Sequence, residues 1–212
     1  QKLRLVRALQ AEGQVVAMTG DGVNDAPALR QADIGVAMGI TGTAVSREAA
    51  DVVLTEDDFA TIAAAVEEGR RVYDNLVKAL AFVLPTNLGE ALILLVAVLA
   101  FPIIDGVPLL PILPGQILWI NLVTDSWPAL AMGVDPPLDD VMARQPRRLT
   151  DRVIDARMWL WVIETGAVIA AAALLTIDLN LPGGLIEGNH DLDSARTAGF
   201  TVLVLAHMFN AF

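Results

Sequence analysis

The chain contains no cysteine among its 212 residues. That excludes a disulfide framework, a thiolate metal site and a cysteine nucleophile. Basic residues are scarce: 14 Lys and Arg stand against 25 Asp and Glu, for a formal net charge of −11. No basic face is evident, so nucleic acid is not an expected partner. The opening Gln1-Lys2-Leu3-Arg4 lacks an initiating methionine and the apolar core of a signal peptide, so the chain reads as starting within a domain. No internal repeat or low-complexity tract is present. Apolar residues are in excess: 55 % of the chain is hydrophobic and the mean hydropathy is +0.56. That excess points to membrane spans.

Two unlike halves are visible. Residues 1–58 read as a soluble α/β segment. Leu3, Val6 and Leu9 have helical spacing. The apolar run 14–19 ends in Gly20-Asp21-Gly22 and predicts a strand followed by a tight loop. Pro27 opens a short helix over 26–31, the runs 34–38 and 51–54 predict buried strands, and 43–49 predicts a helix between them. Strands alternating with short helices imply a parallel, Rossmann-like sheet. Residues 59–78 keep helical periodicity with no breaker and read as a cytoplasmic stalk leading into the first span.

The second half, 79–212, predicts an all-α transmembrane helix bundle with four spans, at about 79–101, 107–134, 158–177 and 197–212. The first three hold one charged residue each: Glu90, Asp125 and Glu164. Each is long enough to cross a hydrocarbon core of about 30 Å. The 135–157 loop carries Arg144, Arg147, Arg148, Arg152 and Arg157, whereas 102–106 has no Lys or Arg and 178–196 has only Arg196. The positive-inside rule puts 135–157 in the cytoplasm, and residues 1–78 with it. Trp159 and Trp161 read as an interfacial belt, and Glu187, Asp191 and Asp193 as a solvated outer loop.

The most informative stretch is Thr19-Gly20-Asp21-Gly22-Val23-Asn24-Asp25-Ala26-Pro27. An apolar strand delivers Asp21 and Asp25 to a loop beyond its C-terminal end, where open α/β sheets bind ligands. Two carboxylates spaced by glycine suit Mg²⁺, which prefers oxygen ligands and keeps several waters. Asn24 and Thr19 offer hydrogen bonds to phosphoryl oxygens, and Lys2 offers a point charge. The competing reading is a glycine-rich turn with two solvated aspartates.

The run Met18 to Arg30, followed by Ala32-Asp-Ile-Gly-Val-Ala-Met-Gly39, resembles the hinge motif of P-type ATPases, a branch of the haloacid-dehalogenase superfamily. The resemblance extends along essentially all of the chain. It implies that residues 1–58 are the C-terminal part of a haloacid-dehalogenase-type phosphorylation domain. It also implies that Asp21 and Asp25 hold Mg²⁺, that Asn24 and Thr19 contact the phosphoryl group, and that Lys2 is the phosphate-site lysine. The family's phosphorylated Asp-Lys-Thr-Gly-Thr motif is absent from this sequence. ATP is therefore expected to be bound mainly by domains outside this chain, and the chain alone is not expected to hydrolyse it.

Polar groups inside spans are costly and suggest function. Asn87 and Glu90 are three apart in the first span, beside Pro85. Asn121, Thr124 and Asp125 share a face of the second, one turn before Pro128. Facing helices would offer an all-oxygen site for a hard cation. The competing reading is interhelical hydrogen bonding, which accounts for Asn87, Asn121 and Thr124 but not for the two carboxylates.

Asn87-Leu-Gly-Glu90 and Trp119-Ile-Asn-Leu-Val-Thr-Asp125 with Pro128-Ala resemble the fifth and sixth spans of calcium pumps. The resemblance implies that Asn87, Glu90, Asn121, Thr124 and Asp125 bind the transported ion, with Ca²⁺ favoured and Mn²⁺ or Na⁺/K⁺ as alternatives. One position departs from the pattern. Where two-site calcium pumps carry an acidic residue, Ala206-His207-Met208-Phe209-Asn210 presents His207. Imidazole is a poor Ca²⁺ ligand, so one divalent ion per cycle is expected. His207 as a proton-countertransport group, or as an ordinary satisfied membrane histidine, stay open. So do two readings without transport: a membrane-anchored phosphatase of the same superfamily, and an inactive truncated fragment.

Overall fold

A computed structural model describes residues 1–101, 103–104, 107–108, 110–137, 139–147, 150–181, 186 and 191–211. Arg148, Glu187 and Phe212, used above, lie outside the described residues. The chain divides into two compact units, Gln1–Glu68 and Gly69–Phe212.

The first unit alternates helix and strand: α1 Lys2–Ala11, β1 Ala17–Gly20, a 3₁₀ turn Val23–Asp25, α2 Ala26–Gln31, β2 Ile34–Met38, α3 Ala44–Ala49 and β3 Val52–Leu54. The strands form one parallel sheet in the order β1-β2-β3, with Thr19 opposite Val36 and Ala37 opposite Val53. Parallel neighbours need crossovers, and α2 and α3 supply them. Val6, Val16 and Ala28 close one small core, while Val36, Met38 and Leu54 close another against Ile62. Aspartates tie the strand starts together. Asp33 accepts from the Val16 N–H at 2.8 Å and Asp51 from the Gly35 N–H at 2.8 Å.

Helix α4 runs without interruption from Ala60 to Ala100, across Pro85. Among the described residues, α4 and α7 (Ala156–Asn180) combine the length and hydropathy needed to cross a membrane. The helix expected over 107–134 is corrected. Residues Val107–Pro108 form a two-residue strand paired antiparallel with Ile103–Ile104, and helix begins only at α5, Pro114–Trp119. Pro108, Pro111 and Pro114 account for this, since a proline is tolerated at a helix start but not inside. A π-helical turn, Ile120–Asp125, then separates α5 from α6, Ser126–Gly133. Pro128 removes the donor that the Thr124 carbonyl would use, and the Ser126 hydroxyl donates to the Asn121 carbonyl across the π turn at 2.8 Å.

The last helix, α8, spans Leu192–Asn210 and starts earlier than expected. Asp191 is its N-cap, accepting from the Ser194 N–H, and Asp193 lies in its first turn, so neither belongs to a free loop. Trp159 and Trp161 are exposed, as an interfacial pair requires. Glu164 is also exposed and has no arginine partner among the described residues.

The helices of the second unit meet around Ile93, Ile112, Ile120, Ile169, Ala173 and Leu203. Lipid removes most of the hydrophobic drive between helices, so close fit must hold them. A Cβ on Gly89 would sit 3.0 Å from Ile169, and one on Gly166 would sit 3.1 Å from Leu88. Small residues at this crossing let α4 and α7 approach closely.

The segment after α6 is clamped to the start of the second unit's α4. Arg70 donates to the carbonyls of Val141 and Arg144 at 2.8 and 3.0 Å. Buried Asn75 donates to those of Gly133 and Asp135 at 3.2 and 3.0 Å. Arg144 pairs with Asp74 at 2.8 Å, and the Arg147 guanidinium lies 3.9 Å over the Tyr73 ring. Arg144 and Arg147 therefore hold this segment against α4.

Candidate functional sites

The first site is the C-terminal end of β1. Gly20 ends the strand, and a Cβ there would fall 2.6 Å from that of Asp25, so only glycine lets the loop fold this tightly. The Asp21 carbonyl accepts from the Thr43 N–H at 2.9 Å and the Ser46 hydroxyl at 3.0 Å. Ser46 is fully buried, so the backbone that carries the Asp21 carboxylate is held by the start of α3. Lys2, Thr19, Gly20 and Asp21 line an open cavity of about 410 Å³. Asp25 sits apart from that lining. Its carboxylate is buried and meets the Lys2 ammonium at 2.8 Å. The Lys2 hydrogen bond holds the Asp25 carboxyl below its ordinary range, against the opposing effect of burial. Asn24 is exposed. The five residues expected at one phosphate site thus divide: Thr19, Asp21 and Lys2 line the cavity, Asp25 braces Lys2, and Asn24 is exposed outside that lining.

Ser46 and Asp57 escaped the sequence reading. Asp57 adopts φ +52° and accepts from the N–H groups of Ile40 and Thr41 at 3.0 and 2.7 Å, shaping the loop on the same cavity. A non-glycine residue at positive φ is uncommon, and aspartate tolerates it better than most. No spacing motif marks either residue.

The second site lies among the helices of the second unit. Glu90 on α4, Asp125 at the end of the π turn and His207 on α8 are all buried. One ligand atom from each lies within 4.8 Å of the others. His207 Nδ1 is 2.9 Å from Asp125 Oδ1. The Asn121 amide donates to Glu90 Oε2 at 3.1 Å and to the Ile117 carbonyl at 3.0 Å. Glu90 Oε1, Asp125 Oδ2 and His207 Nε2 have no hydrogen-bond partner among the described residues.

The other two expected ligands stand apart. Asn87 is exposed and donates to the Val83 carbonyl of its own helix at 2.9 Å. Thr124 is half-buried and makes no hydrogen bond given for the described residues. Asn121 and Asp125, at the two ends of the π turn's polar set, reach Glu90 of α4 and His207 of α8. Asn210, one turn beyond His207, donates to the Phe82 carbonyl at 3.1 Å and ties α8 to α4 beside Pro85.

Two buried carboxylates and an imidazole, with unsatisfied atoms converging between three helices, form a cation-binding constellation inside an apolar bundle. The Asp21 loop on the cavity of the first unit precedes them on the same chain. The comparisons give the family: the chain belongs to the P-type cation-transporting ATPases, with residues 109–212 matching the family described as Cation transporting ATPase, C-terminus. It is 46 % identical over 212 residues to a calcium-transporting ATPase of Bacillus subtilis, covering 100 % of this chain and 23 % of that protein. It is 50 % identical over 216 residues to the probable cation-transporting ATPase F of Mycobacterium tuberculosis, covering 100 % of this chain and 22 % of that protein. Over 174 residues it is 48 % identical to calcium-transporting ATPase 4, endoplasmic reticulum-type, of Arabidopsis thaliana, covering 82 % of this chain and 16 % of that protein. The chain spans less than a quarter of the length of these relatives.

Proposed function

We propose that this chain is the part of an ATP-driven pump that holds the phosphate-site hinge loop and the cargo site, and that the pump exports Ca²⁺ through an aspartyl-phosphate cycle. The meeting of Glu90 and Asp125, two buried carboxylates from separate helices, carries the reading. Buried carboxylates in a membrane span are costly and mark ion or proton pathways. The calcium-transporting names of two of the relatives above support the choice of ion.

On this reading residues 1–58 belong to a haloacid-dehalogenase-type phosphorylation domain in the cytoplasm, with the loop over 135–157 on the same side. The small parallel sheet, with its aspartate loop at the C-terminal edge, fits such a domain. Mg²⁺ fits here too: Asp21 is exposed at the cavity with its backbone anchored, and one carboxylate with waters and phosphate oxygens suits that ion. When bound, Mg²⁺ neutralises charge on the transferring phosphoryl group. Asp21 holds its place, Lys2 presents a positive charge to phosphate oxygens, and Thr19 offers a hydroxyl.

In the spans, Glu90 and Asp125 take the cargo, and the Asn121 amide orients Glu90. The part of α4 over 60–78 is the stalk that links the two activities, since the helix carries on unbroken to Ala100. The clamp from Arg70 and Asn75 makes the segment after α6 follow that helix.

Screening ATP hydrolysis by the full-length protein against Ca²⁺, Mn²⁺, Na⁺ and K⁺ tests the reading. Divalent cations, Ca²⁺ among them, are expected to stimulate turnover. Stimulation by Na⁺ or K⁺ alone would reject it.

A further inference from the structure

We propose that a cavity between α4 and the segment after α6 holds the headgroup of an aminophospholipid, its phosphate on Lys78 and Arg71 and its ammonium on Asp139. This goes beyond the pump reading and rests on it only for the placement of α4 across a membrane.

The cavity has a volume of about 560 Å³ and lies wholly within the second unit. Composition fixes its level along α4. Lys78 lines it, and Lys78 is the last charged residue before Glu90. The run from Ala79 onward is the apolar part of a helix long enough to cross a bilayer. Cations that flank such a run sit at the headgroup layer, and basic pockets beside spans take lipid phosphates. Val77 and Val153 line the same cavity and give it an apolar wall. A lipid's glycerol and upper acyl carbons can meet that wall, whereas a free phosphate ion has nothing to place there.

The charges around the cavity are only partly matched within the protein. Arg144 is engaged by Asp74 at 2.8 Å. Lys78 has looser partners, with Asp135 Oδ2 and Asn75 Oδ1 each 3.5 Å from its ammonium. Charge-assisted hydrogen bonds are ordinarily about 2.7–2.9 Å long, so Lys78 keeps donors for a closer acceptor. Phosphate oxygens are such acceptors, and the Arg71 guanidinium shares the lining. Asp139 lines the cavity too, is exposed, and makes no ion pair among the described residues. A carboxylate beside a phosphate site repels a headgroup that is purely anionic. It attracts one that carries an ammonium on a short link from its phosphate. That selects phosphatidylethanolamine over phosphatidylglycerol, which has no amine, and over phosphatidylcholine, whose quaternary nitrogen has no N–H to donate.

The test equilibrates the full-length protein in detergent with equal amounts of these three lipids. Native mass spectrometry reads the lipid retained, and ion-stimulated ATP hydrolysis is measured on the same samples. Wild type is expected to retain phosphatidylethanolamine in preference to the other two. Asp139→Asn is expected to lower its retention to the phosphatidylcholine level and to leave phosphatidylcholine unchanged. Lys78→Gln is expected to weaken retention of all three by roughly five- to tenfold. If Lys78→Gln does not fold, the wild-type preference and Asp139→Asn decide. Equal retention of the three lipids, or a preference that survives both substitutions, overturns the proposal. So does displacement of the lipid by inorganic phosphate or O-phosphoethanolamine at equal concentration, which would assign the cavity to a soluble phosphate. Lipid indifference alongside ion-stimulated hydrolysis overturns the headgroup site and leaves the pump standing. Lipid preference alongside hydrolysis that ignores every ion does the reverse.

Discussion

Asp125→Asn in the full-length protein is expected to abolish ion-dependent phosphorylation by ATP at ion concentrations that saturate wild type. The substitution keeps the volume of the side chain and removes its charge. In the structure Asp125 is 5 % exposed, faces His207 and leaves Oδ2 unpartnered beside Glu90. Losing one member of a buried charged interaction costs about 2–5 kcal/mol. That weakens ion affinity by roughly 30- to 4,000-fold. Raising the ion concentration should therefore restore part of the phosphoenzyme, because the catalytic loop is untouched. Phosphorylation with unchanged ion dependence would exclude Asp125 from the cargo site.

Asp21→Asn is expected to fail differently. The residue lines the open cavity in the first unit, and on the proposed reading it holds Mg²⁺ against the transferring phosphoryl group. Lewis-acid stabilisation of that kind is worth several kcal/mol, so phosphoenzyme formation should fall by about 100-fold or more. No concentration of transported ion should rescue it, and equilibrium binding of the ion should remain close to wild type. The opposite pattern, an activity restored by more Ca²⁺ or Mn²⁺, would take Asp21 out of the phosphate site. The two variants thus separate the two chemistries that the chain holds.

The strands of the first unit are legible because short apolar runs are closed by glycine (Gly20, Gly39) or by polar residues after Leu54, and β1, β2 and β3 lie within the expected stretches or within a residue of them. Glu90 and Asp125 stood out because single charges in long apolar runs are expensive. What stayed hidden was local geometry. A period of 3.6 residues does not reveal the π turn over Ile120–Asp125, on which Asn121, Thr124 and Asp125 all lie. The spacing does not show that the Asn87 amide N–H donates to the Val83 carbonyl of its own helix, leaving its side-chain oxygen as the atom that could meet a cation. The start of the second helix was misplaced because hydropathy ignores proline, and Pro108, Pro111 and Pro114 delay the helix to Pro114.

Long-range partners were also out of reach. Asp25 looked like a metal ligand from its place in the motif, and nothing local reveals that Lys2 returns to it at 2.8 Å. Asn75 sits in a helix of mixed character, and only the fold shows it buried against the carbonyls of Gly133 and Asp135. His207 was noticed as a departure from a pattern. Its contact with Asp125, 82 positions earlier, comes from helix packing alone.

The most direct test of the account is ATP-driven uptake of radiolabelled Ca²⁺ and Mn²⁺ into sealed vesicles that contain the full-length protein. The account predicts that one or both ions accumulate against their gradient when ATP is added, and that Glu90→Gln ends accumulation. Hydrolysis of ATP with neither ion moving, or uptake indifferent to Glu90, would contradict it.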